Sequence, residues 1–221
     1  MPTMEQARQW YPATDPVHGF DHVLRVYRLA ERLALAESAD LEIVRAAVLL
    51  HDANPEEKNA AGFSGDPDED EKRDNHHHAS AEFARKILLA EGWSPERAED
   101  VVHCIRSHRF RDSSEQPASI EAKVVFDADK LDAIGAIGAA RAISYAVLHH
   151  QPVYAEPSQD FLNTGQTVSG ELHSSYHEYL FKLRRLKERL FTSSGRAIAE
   201  RRHHFLEEFY EQLVAEVDGK R

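Results

Sequence analysis

Apolar residues recur at every third or fourth position along most of this chain, and no stretch alternates apolar with polar over the length of a strand. That pattern restricts the fold to packed amphipathic helices, an all-α class. Val23, Val26, Tyr27, Ala30, Leu33 and Ala34 make one face of a first long helix starting at Asp15–Pro16, where proline suits an early helical position. Asp40 is placed to cap a second helix, in which Leu41, Val44, Ala47, Val48 and Leu49 run up to His51–Asp52. Residues 54–75, with Pro55, Gly62, Gly65, Pro67 and the acidic run Asp66 to Glu71, read as a surface loop. Periodicity resumes over Ala79 to Glu91 and stops at Gly92. It restarts behind Ser94-Pro95-Glu96 with Val101, Val102, Ile105 and His108. Ile120 to His150 predicts one or two helices whose Gly135, Gly138, Ala139 and Ala140 allow close packing. After an irregular stretch over Gln151 to Gly170, two amphipathic helices follow, about Glu171 to Phe191 and Gly195 to Val217.

With 221 residues and 42% hydrophobic ones, the chain has enough apolar material for a sizeable single core. The expected organisation is one helical domain over 1–221, with a core of about 15–150 and a C-terminal extension of about 171–217. A net charge of -11 argues against a nucleic-acid partner, yet leaves room for a small anionic substrate, because a bound cation reverses the field inside a pocket. The single cysteine, Cys104, rules out an internal disulfide and reads as a small buried apolar residue. No basic start leads into an apolar stretch and no apolar run approaches ~18 residues, so neither a secretory signal nor a membrane span is expected, and the expected location is the cytoplasm. The apolar faces of the last two helices (Leu180, Leu183, Leu186 and Leu190; Phe205, Leu206, Phe209 and Leu213) either cover the core or form the seam of a homodimer.

Chemistry concentrates at three places. His51–Asp52 closes the apolar run Ala46 to Leu50, and an imidazole beside a carboxylate at the end of a buried helix is costly unless something charged holds the two. Upstream, His18 and His22 stand one helical turn apart, so either could point inward. Downstream, Asp127, Asp129 and Asp132 lie among Val124, Val125, Phe126, Ala128 and Leu131, where an unpaired carboxylate is expensive. One His, a His–Asp pair and a distant Asp make a mixed nitrogen and oxygen donor set for a divalent ion such as Mn²⁺, Mg²⁺, Fe²⁺, Co²⁺ or Ni²⁺. Such an ion lowers the pKa of water and neutralises phosphoryl charge, which points to hydrolysis at phosphorus.

The segments HGFDHVLRV, LLHDAN and DADKLDAIGAIGAAR resemble the HD-domain superfamily of metal-dependent phosphohydrolases, over about His18 to Arg141. The stretch Thr192 to Glu207 is similar to a bacterial subgroup of stand-alone HD hydrolases. The resemblance implies an HD-type helical bundle with added C-terminal helices. It implies metal ligands at His22, His51, Asp52 and Asp129, with Asp127 as the rival for the last place and Asp127 and Asp132 expected at the helix surface or supporting the ligands. It also implies a nucleotide as the phosphorylated substrate, cleaved by metal-activated water with release of phosphate or pyrophosphate.

Around that set, Asp52, Lys130 and Glu56 are the candidate catalytic residues. Glu56 and Glu57 follow the His–Asp pair, where related hydrolases orient water, and Lys130 would meet the phosphate. Arg25, His76, His108 and Lys182 are the candidate substrate-binding residues, with His103, Arg196 and Arg201 as weaker ones. His76 and His108 also fall where some HD branches hold a second ion. That leaves a binuclear cyclic-nucleotide phosphodiesterase as an alternative, although His108-Arg109-Phe110 lacks the Gly-Tyr-Pro element of the cyclic-dinucleotide branch. A non-catalytic regulatory module of the same fold is the third reading.

Overall fold

The computed structural model describes residues 1–11, 19–53, 68–110 and 115–221, with side chains described for all of these but 68–76. Every regular element among the described residues is helical. Ten α-helices run in order: α1 Met4–Arg8, α2 Phe20–Glu37, α3 Leu41–Leu50, α4 Asp68–Ala90, α5 Pro95–Ser107, α6 Ile120–Asp132, α7 Gly135–Leu148, α8 Gln159–Thr164, α9 Ser175–Phe181 and α10 Ser193–Val217. A 3-10 segment, Leu183–Arg189, follows α9.

Local chemistry explains most of the boundaries. Asp40 accepts from the N–H groups of Glu42 and Ile43 to start α3, and Ser94 accepts from Arg97 with Pro95 at the first helical position of α5. At the start of α1, which the periodicity did not reveal because it is five residues long, Thr3 and Gln6 form a reciprocal capping box. Two expectations are corrected. Helix α4 begins at Asp68, so residues 68–75 are helical and not loop; the acidic residues Asp68 to Glu71 suit a helix N-terminus but carry no apolar period to show it. The stretch 171–191 is not one helix, since α9 spans only Ser175–Phe181 before the backbone tightens into 3-10. Ile120 to His150 divides at Ala133–Ile134 into α6 and α7. The start at Asp15–Pro16 lies outside the described residues.

The chain separates into two compact units, 1–129 with 191–195, and 130–190 with 196–221. In the first, α2, α4 and α5 all pack on α3, which is buried on nearly every side. Its core holds Val26, Leu33, Val44, Val48, Leu88, Val102, Ile105 and Phe126, each without solvent exposure. Cys104 lies in this core, and burial pushes its thiol pKa far up, as a packing residue requires.

The second unit gathers Tyr179 stacked on Tyr210 (ring centroids 4.3 Å apart), with Leu180, Leu183, Leu186 and Leu206. Its irregular stretch is organised by one carboxylate. Glu171 accepts from the N–H and Oγ of Ser158 (2.7 and 2.8 Å), the N–H of Val168 (2.8 Å) and Nε2 of His177 (3.2 Å). No single described helix is long and apolar enough to cross a membrane; α6 and α7 pass such a test only as a pair, and they are bent by 64°.

Candidate metal centre

The three histidines of the site all stand at helix ends. His22 is in the first turn of α2, where its N–H bonds Gly19 O at 2.9 Å; His51 is the residue that ends α3; His108 ends α5. All three are buried. Adjacent side chains leave a regular helix about 100° apart, and His51, capping α3, still has helical backbone angles (φ −60°, ψ −36°).

Two imidazoles are locked by main-chain carbonyls. His51 Nδ1 bonds Val48 O at 2.8 Å and His108 Nδ1 bonds Ile105 O at 2.5 Å. A carbonyl only accepts, so each ring carries a proton on Nδ1 and turns Nε2 toward the site. His51 Nε2 lies 3.3 Å from Asp52 Oδ2 and His108 Nε2 lies 3.4 Å from Asp52 Oδ1, so one carboxylate faces two imidazoles. His22 Nε2 lies 3.3 Å from Asp129 Oδ1. The ring centres of His51 are 5.5 Å from His22 and 5.1 Å from His108.

The donors of His22, His51 and Asp129 all lie within 4.8 Å of one another. Burial lowers the pKa of His51, reinforced by His108 and His22 and opposed by Asp52 and Asp129, so its ring stays neutral. Its Nε2 is fully buried and has no hydrogen-bond partner. A buried lone pair without a hydrogen-bond donor costs about 1–3 kcal/mol, and a divalent cation takes the place of that donor as a Lewis acid. Neutral imidazole nitrogens and carboxylate oxygens are the donor set that such a cation takes, so the residues fit a divalent metal ion.

Two aspartates on α6, two residues apart, face different partners. Asp129 meets His22, whereas Asp127 is fully buried and accepts from Phe191 N–H at 2.9 Å, Thr192 N–H at 2.8 Å and Thr192 Oγ1 at 2.6 Å. Gly195 makes room for this clasp: a Cβ there would stand 2.5 Å from Asp127 Oδ2. Asp127 thus anchors the chain entering α10 and is not a surface carboxylate. Asp132 is not one either, being 2% exposed and paired with Arg141 at 3.0 Å.

Arg25, one turn after His22, pairs with Asp21 at 2.5 Å. Lys130 follows Asp129 on α6. Lys182 belongs to the second unit, exposed and paired with Glu178 at 2.7 Å. His103 bonds Glu115 near the surface, and Arg196 Nε donates to Leu190 O at 3.0 Å. Glu56, Glu57 and His18 lie outside the described residues, as does the side chain of His76. One participant was not visible in the sequence. The Tyr11 hydroxyl donates to Leu49 O at 3.1 Å, beside the His–Asp pair, across 38 residues that carry no pattern to announce it.

The fold and this donor set define a class, the HD domain. The sequence profile of that family matches residues 19–134, and the chain belongs to it. YpgQ of Bacillus subtilis strain 168, an uncharacterized protein, is 35% identical over 222 residues, covering 97% of this chain and 94% of YpgQ. A crystal structure of YpgQ in complex with ADP superposes with a TM-score of 0.69 at 30% identity, over 99% of this chain and 100% of that one. An HD-superfamily hydrolase from Bacillus thuringiensis gives 0.64 at 27% identity, over 91% and 87%.

Proposed function

We propose that this chain is a metal-dependent phosphohydrolase acting on a nucleotide, releasing phosphate or pyrophosphate. The observation that carries the reading is the buried, unbonded Nε2 of His51 within reach of His22 and Asp129. Support for a nucleotide comes from YpgQ, whose structure holds ADP. His22, His51, Asp52 and Asp129 would hold the ion, of which Mn²⁺, Mg²⁺, Fe²⁺, Co²⁺ and Ni²⁺ are candidates. A divalent cation supplies Lewis-acid chemistry there, acidifying water and offsetting phosphoryl charge.

The protein's own groups divide the remaining work. Asp52 turns one oxygen toward His51 and the other toward His108, which places its carboxylate between two ring nitrogens. His108, oriented by its Nδ1 bond to Ile105 O, turns Nε2 toward Asp52, where a proton-transfer group would serve. Lys130 adds a positive charge one residue beyond Asp129 for the departing phosphate. Because His108 also faces Asp52, a cyclic-nucleotide phosphodiesterase is the second reading.

The test is phosphate and pyrophosphate release from (d)NTPs, (d)NMPs and cyclic nucleotides by metal-stripped protein given each ion in turn. Release that requires metal and is lost in Asp52→Ala supports the reading, and the product identifies the bond. Release from cyclic nucleotides alone favours the second reading. Failure to bind any of the ions overturns both.

A further inference from the structure

The last turn of α3 leaves main-chain carbonyls without helical donors beside the His–Asp pair, and each receives one. Val48 O takes His51 Nδ1–H at 2.8 Å, and Leu50 O takes Ala53 N–H at 3.2 Å. Both of these are local. The Ala53 N–H would reach Leu49 O if the α-helix ran on, but here it bonds one residue further along. Leu49 O receives the hydroxyl of Tyr11 instead, at 3.1 Å, from 38 residues upstream.

Tyr11 is 2% exposed, with its ring 5.7 Å from that of Phe20, the residue that opens α2 two positions before His22. Burial and the nearby Asp52 charge hold the Tyr11 pKa well above 10, so the group remains a donor at any working pH. The hydroxyl is therefore bonded to a peptide group in the last turn of α3, two residues before His51. It takes the place of the α-helical bond from the Ala53 N–H that would carry the helix past the pair.

We infer that Tyr11 is a positioning residue: by bonding the Leu49 carbonyl in the last turn of α3, its hydroxyl holds the helix end that carries His51 and Asp52 in the place where they meet a cation. This rests on the metal reading above. Loss of a group that orients metal ligands weakens binding about 10–100-fold, whereas a residue that serves only packing lowers stability and leaves affinity unchanged.

The experiment titrates Co²⁺ into metal-stripped, full-length wild type and Tyr11→Phe, which removes one oxygen and keeps the buried ring. Expected is a fall in Co²⁺ affinity of at least about tenfold, with an altered d–d absorption band, in a variant that still melts cooperatively. Wild-type affinity and an unchanged band in Tyr11→Phe overturn the inference while the metal reading stands. Wild type that binds no Co²⁺ overturns the metal reading and this inference with it. Exchange of the Tyr11 hydroxyl proton in wild type decides the matter even if the variant does not fold. Slow exchange supports the bond to Leu49 O, and exchange as fast as a solvated hydroxyl overturns it.

Discussion

Two buried histidines, His51 in the first unit and His177 in the second, have no solvent exposure, yet their nitrogens are used in opposite ways. His177 is fully spent: Nδ1 takes Ser174 Oγ at 2.8 Å and Nε2 reaches Glu171 Oε1 at 3.2 Å. His51 uses Nδ1 on Val48 O and leaves Nε2 unbonded. By residue type the Ser174–His177–Glu171 group looks more like hydrolytic machinery than the metal centre does. Its serine, however, is 1% exposed and caps α9 by accepting the His177 N–H, while its carboxylate is engaged by Ser158 and Val168. Nothing in it is left to meet a substrate. Burial and residue type therefore do not distinguish a staple from a site; an unspent nitrogen that converges with the donors of His22 and Asp129 does.

The largest effect expected from this difference is on metal binding. At a hundred times its dissociation constant, an ion should stabilise the protein by about 2.7 kcal/mol, roughly 5–10 °C in thermal midpoint for a chain this size. His51→Ala should abolish both that shift and any metal-dependent turnover. A His51→Ala protein that keeps the thermal shift would remove the distinction between the two histidines.

His177→Ala comes next. It strands Ser174 and Glu171 and should cost about 1–3 kcal/mol in chemical denaturation, with the affinity for Mn²⁺ unchanged by calorimetry. Weakened metal binding there would show that the network is more than a staple.

Acid should expose the same network. The Ser158 N–H, ahead of the bonds from Val168, Ser158 Oγ and His177, holds the Glu171 pKa at about 2, below its usual 4.5. A carboxyl depressed in the folded state contributes stability above its unfolded value, and that contribution is lost as pH falls from about 4.5 toward 2. Denaturation midpoints over that range should fall less in Glu171→Gln than in wild type, and parallel curves would sink the assignment. The smallest effect belongs to Lys182→Ala. Its ion pair with Glu178 is 55% exposed on the lysine side, so stability should change by less than about 0.5 kcal/mol, measured by the same denaturation.

Much of the fold was legible because helices announce themselves through spacing and caps that lie within a few residues. Asp40 and Ser94 stand where the helices start, and His51–Asp52 stands at a helix end. The failures share a cause. Residues 68–75 are helical without an apolar face to show it, and 171–191 has one without being a continuous helix. The site was legible to the same degree: the resemblance selected Asp129 over Asp127, and the structure gives each a separate set of partners.

What the sequence determined by itself was the inventory and its local placement: an all-α chain of the HD family with imidazoles and carboxylates at helix ends. Only the tertiary structure decided which of those groups are already occupied. Asp127 is consumed by Thr192 across 65 residues, Glu171 by Ser158 across 13, and Leu49 O by Tyr11 across 38, while His51 Nε2 is left over. Hydrogen bonds are saturated by partners in space, and periodicity reports only neighbours along the chain.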